Sequence, residues 1–226
     1  MMTVQDIITD LQLAELSELN IGESANTNAN LTKYLMYISA GLTELYTRFP
    51  LNQRQLAIQP IEGLTDYLLT PDHAYSNDTD AIKYILDSVY DVFDWDILQI
   101  LGAYDENGQE LPLNNNNHIC GVFSNSPNAI TLPTTITTRQ VILVCQANHP
   151  KVTGLDSAIQ IPFGLRNALV WLIASRIWGT RKEDGAIQKA IQYAQQYNEA
   201  CLAASYQGTA NTLDSVEFNI HQLGWR

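Results

Sequence analysis

The stretch "IQIPFGLRNALVWLIASRIWGTR", residues 159–181, constrains this chain more than any other. Pro162 suits the first turn of a helix, where its missing N–H leaves no bond unmade. Behind it, apolar residues recur on nearly every side until Gly179. Such a helix must be covered almost all round, and a single packing surface is not enough to hide it. It also carries Arg166, Asn167, Ser175 and Arg176, which point in several directions. Either neighbouring chains complete its cover, or it is the buried centre of a helical bundle.

The segments around it sort by period. Thr3 and Asp6 form an N-cap pair ahead of Val4, Ile7, Ile8 and Leu11, a first helix ending near residues 20–22. After the polar linker "GESANTNAN", Leu31, Leu35, Ile38, Leu42, Leu45 and Phe49 trace one helical stripe that Pro50 stops. From Arg54 the period shortens to two. "RQLAIQPIEGLTDYLLTP" predicts two short strands and a turn, and "ILQILGAYDENGQELPLNNNN" predicts a hairpin about Asn107-Gly108. Between them, "DTDAIKYILDSVYDVF" has Asp78 or Thr79 as a cap with Ile82, Ile85, Leu86 and Val89 on one side, which predicts a short helix. "AITLPTTITTRQVILVCQANH" is β-rich, with Pro133 consigning its first part to a sheet edge. After the turn "TRKEDG", Ile187, Ala190, Ala194, Tyr197, Cys201 and Ala204 mark a last helix, antiparallel to the one before it.

The expected fold class is therefore α+β. Terminal helices, residues 1–53 and 162–206, form an antiparallel helical bundle. A β-rich module, 54–161, is inserted between them with a short helix at about 79–90, and residues 207–226 form an extended C-terminal arm.

Charge narrows the possible partners. The chain carries 24 acids against 12 Lys and Arg, a net of −12. Residues 1–150 hold 5 of the bases and 18 of the acids, a net of −13, and the remainder is close to neutral. That balance argues against wrapping a polyanion through dense phosphate contacts. At 46% hydrophobic and only 16% charged residues, some surface is expected to be covered by neighbours. Cys120, Cys145 and Cys201 have no CxxC or metal spacing and read as reduced, buried thiols. No run reaches the about 18 apolar residues of a membrane span, and the N-terminus does not read as a secretory signal.

Chemistry is sparse. His73, His118, His149 and His221 are isolated near turns or in the tail. Asp87, Asp91, Asp94 and Asp96 cluster but lack the Gly and closing Glu of a calcium loop. There is no GxSxG, no GxGxxG and no Gly-Lys-Ser/Thr order. No enzyme activity, metal or cofactor is expected.

The order of elements, with "GLTELYTRFPL" (41–51), "GLTDYLLTPDH" (63–73), "ILGAYDENGQELPLN" (100–114) and the stretch at 159–181, resembles the adaptor, or head-completion, proteins of tailed bacteriophages, including the podovirus tail tubular protein A type. The likeness spans residues 3–206 and lies more in the order than in any single motif. Two departures are the Leu-Leu-Thr-Pro strand end and the helix expected at 79–90, which suggest an elaborated β module. The resemblance implies a structural protein of the virion neck, assembled in the host bacterial cytoplasm. There a homo-oligomeric ring, commonly of about twelve copies, joins the portal protein to tail or nozzle proteins and lets double-stranded DNA pass without specific binding. A ring would explain the all-round apolar helix, with neighbours covering it, and an acidic lumen would let DNA slide.

On this reading Arg166, Arg176, Trp178, Arg181 and Lys182 lie at a subunit or portal contact. In the tail, Val216, Phe218 and Ile220 alternate with polar residues at strand spacing, and with Trp225 and Arg226 they would dock on another chain. The alternatives are a glycan- or peptide-binding β module using Tyr67, Tyr75, Tyr90 and Trp95, or an enzyme with a dispersed site.

Overall fold

The structure is a computed structural model that describes residues 2–16, 28–94, 96–115, 121–136, 139–182 and 184–206. In chain order the elements are β1 (Met2–Thr3), α1 (Val4–Asp10) with a π-helical turn at Leu11–Glu15, α2 (Asn28–Arg48), β2 (Gln53–Ile58), β3 (Asp66–Leu68), β4 (Ile85–Leu86), β5 (Ile97–Asp105), β6 (Glu110–Leu111), β7 (Phe123–Ser126), β8 (Ala129–Thr131), β9 (Val141–Ala147), β10 (Ala158–Ile159), α3 (Arg166–Gly179) and α4 (Ala186–Tyr206). The fold is α+β, with four α-helices and antiparallel sheets among the described residues. It divides into two compact units, one built from residues 2–51 and 149–206 and the other from 52–148.

The first unit is helical. Thr3 accepts from the Asp6 amide while the Asp6 carboxylate takes the Thr3 amide, a reciprocal cap that starts α1. The stripe expected on α2 is present: Ile38, Leu42, Leu45 and Phe49 are buried, joined by Tyr34 and Tyr46. A Cβ on Gly41 would lie 2.9 Å from a Leu169 methyl, so this glycine lets α2 approach α3 closely. Pro162 opens a 3-10 turn at Phe163–Leu165 that leads into α3. Eight of the fourteen α3 residues are buried in a core shared with α1, α2 and α4. On α4 the buried residues are Ala186, Tyr197, Cys201 and Ala204, whereas Ile187, expected in that stripe, is 69% exposed. Residues 149–161, read from sequence as the close of the β module, lie in this unit, where β10 pairs with β1.

The second unit has a five-stranded sheet in the order β4-β2-β9-β5-β6 and a three-stranded sheet β3-β8-β7. The Val- and Ile-rich β9 is the central strand of the larger sheet and is buried along nearly all its length. The β5–β6 hairpin forms as expected, with Gly108 at φ +78° in its turn.

Three expectations fail here. Residues 79–90 are not a helix. Thr79 bonds back to the Asp72 carbonyl instead of capping, Ile85 pairs with Ile58 in the sheet, and Ile82 and Val89 of the supposed stripe are exposed. Residues 76–88 hold seven Asp, Asn, Ser and Thr residues, a type of side chain that competes for the backbone groups a helix would need. Nor are β2 and β3 a hairpin, since they join different sheets. The Tyr67 hydroxyl, tied to Ile61 and Leu64, instead holds the connecting loop against β3. Lastly, β8 is the middle strand of its sheet, because it ends at Thr131, before Pro133 can block a ladder bond.

Candidate interaction surfaces

The cover of α3 decides how its polar residues read. Arg166 donates to the Asp10 carboxylate at 2.6 to 2.8 Å, and Arg176 to Glu44 at 2.5 Å, so both find partners inside the chain. Trp178 is 4% exposed, with the Lys189 ammonium 4.5 Å from its ring centroid. Ser175 bonds the Leu172 carbonyl. Most of the apolar cover of this helix comes from its own unit, with Asn167 exposed and Trp171 half-buried, so its apolarity does not by itself require neighbouring chains. Arg166 and Arg176 keep partial exposure, and Trp178 does not face solvent. Of the five positions assigned there, Lys182 is exposed and Arg181 half-buried, just beyond the end of α3. Val216, Phe218, Ile220, Trp225 and Arg226 lie outside the described residues.

Sequence reading missed two ties in this unit. Arg48 donates to Asn198 at 3.1 Å and stands 5.6 Å from the Tyr197 ring, locking the end of α2 to α4. His149 accepts the Gln160 amide at Nε2 and sits beside the Pro150 carbonyl at Nδ1. Its ring meets Tyr46 edge-on at 5.3 Å, and the Tyr46 hydroxyl donates to the Gln160 carbonyl. Burial pushes the imidazole below its ordinary value, and the Pro150 bond works against that shift. Between α3 and α4 a groove of about 430 Å³ is floored by Ala200, Ala203 and Ala204 and edged by Trp171 and Gln196.

In the second unit the acidic cluster has a basic centre. Arg54 reaches Asp91 at 2.5 Å, Asp96 at 3.2 Å and Asp94 at 3.5 Å, and donates to the Val92 carbonyl. Burial pushes the Asp96 carboxyl up despite Arg54. Asp87 turns away to Ser76 and the Phe93 amide. Burial works to raise its carboxyl, but those hydrogen bonds outweigh it and leave the group below its ordinary value. Among the described residues no group of three His, Cys, Asp or Glu side chains is placed to hold a metal. His73 stacks on Tyr84, and burial pushes the Cys145 thiol up to about 12. The tyrosines considered for stacking are separated by burial: Tyr67 is core, Tyr75 bonds Gln59, and Tyr90 is fully exposed. A second cavity, about 490 Å³, lies among Ile61, Leu64, Leu132, Pro133 and Ile136.

No helix among the described residues is long and apolar enough to cross a membrane. The chain matches no known family and no curated protein.

Proposed function

We propose that this chain is a structural subunit of a bacteriophage neck, a homo-oligomeric ring that joins the portal to the tail and continues the DNA channel. The observation that carries the reading is the order of elements, with the four stretches at 41–51, 63–73, 100–114 and 159–181 in adaptor-like sequence. A unit made from both ends of the chain, with a β unit inserted, is compatible with that order. The apolarity of α3 no longer adds to it, because most of the helix's apolar cover comes from its own unit. Residues 52–148 carry 3 bases against 12 acids, a net of −9, which would keep passing DNA from adhering. No catalytic step is assigned to the chain.

The portal contact is placed at the turn after α3, around Arg181 and Lys182, with ring closure templated by the portal. Sedimentation of the full chain with and without purified portal rings tests this. The chain alone should run as a monomer or small oligomer and co-sediment with portal. Reversing the charge of Arg181 and Lys182 to Glu should weaken co-sedimentation at least about tenfold at low salt. A chain that never joins the portal would overturn the reading, and unchanged binding of the reversed variant would remove the contact from this turn.

A further inference from the structure

Among the described residues of the β unit, a fully exposed aromatic stands on a turn whose backbone is well bonded. Tyr90 is 100% exposed and its neighbour Val89 84%. Both occupy the centre of a tight turn closed by reciprocal bonds: Ser88 N–H to the Asp91 carbonyl at 3.3 Å and Asp91 N–H to the Ser88 carbonyl at 3.0 Å. Each leg is anchored. On one side Ile85 is buried and paired with Ile58; on the other Phe93 is buried at 1% exposure. Asp87, on the first leg, accepts from the Phe93 amide of the second and from the Ser76 amide of the loop before them. Arg54 grips the far leg through Asp91 and the Val92 carbonyl. An apolar pair raised on a frame this well bonded loses little main-chain freedom when it docks, and tyrosine is a common anchor of protein interfaces.

We propose that the Val89-Tyr90 tip is a docking knob for a partner protein that offers a tyrosine-sized apolar socket rimmed by Lys and Arg. The charge around the tip selects that partner. Asp87, Asp91 and Asp94 flank it, and Arg54, the cation among them, is already occupied by carboxylates. A second copy of the same unit, at a net of −9, repels this approach, and so do nucleic acids and anionic membranes. Resting on the neck reading above, which gives the portal to the turn after α3, the knob belongs to the tail-side ring protein.

The test measures affinity of the full chain for the purified tail-side ring protein and, separately, for portal rings, across salt from about 0.05 to 0.3 M. Tyr90→Ser and Val89→Ser alter side chains that touch little of their own unit, so their melting temperatures should match wild type. Tyr206→Ser, 87% exposed on α4, is the control. Expected are at least about a tenfold loss of tail-ring affinity for Tyr90→Ser, none for the control, unchanged portal affinity, and wild-type binding that weakens as salt rises. Tail-ring affinity unchanged in Tyr90→Ser would overturn the knob and leave the neck reading standing. A loss on portal instead would overturn the choice of partner. Wild-type chain that binds neither ring would overturn both proposals together.

Discussion

Trp178 and Arg176 stand two positions apart at the end of α3 and do different work. The indole is almost fully enclosed, while the Arg176–Glu44 pair keeps 31% and 40% of its two side chains exposed. Removing a buried indole leaves a large void, whereas a half-exposed ion pair is weak because water screens it. Trp178→Ala should therefore destabilise the chain by about 3–5 kcal/mol and Arg176→Ala by less than about 1 kcal/mol, read from urea unfolding midpoints. Equal effects would mean that the tryptophan is not core. Arg54 shows what sequence hides at this scale. It lies 37 to 42 positions from the carboxylates it meets, and no local pattern links them.

At the scale of elements, legibility followed how local the cause was. The Thr3–Asp6 cap, the Pro50 stop, the Pro162 start and the Asn107-Gly108 turn are each decided within a few residues, and each stands where the sequence puts it. Residues 79–90 and the pairing of β2 were decided from elsewhere. Ile85 is held by Ile58, and β2 by β9 nearly ninety residues later, so a helical period in the intervening stretch carried no weight. The mutual position of the predicted contact residues was likewise unreadable, since Asp10 and Glu44 reach α3 from more than 130 positions away. The strap from His149 to Gln160 makes a test of such distant ties. Its imidazole titrates below the ordinary histidine value, so the unfolded chain takes up the proton first as pH falls. Stability present above about pH 6.5 should be lost as pH falls below it. Melting temperature recorded against pH should drop over that range, and His149→Gln should flatten the drop. A profile that is the same in both proteins would show that this ring does not link folding to pH.

At the scale of the whole molecule, two features define the chain: a helical unit drawn from both its ends and a β unit that carries most of its negative charge. The helical unit satisfies its own apolar helix, so any ring it joins is assembled from finished surfaces and not from unfinished cores. Assembly of that kind is controlled by charge and by a few anchors, and a template can set its copy number. Cryo-electron microscopy of portal rings mixed with excess full-length chain tests this most directly. The account predicts a closed ring of chain copies seated on one face of the portal, with a continuous axial channel. Bare portal rings beside unassembled chain would contradict it.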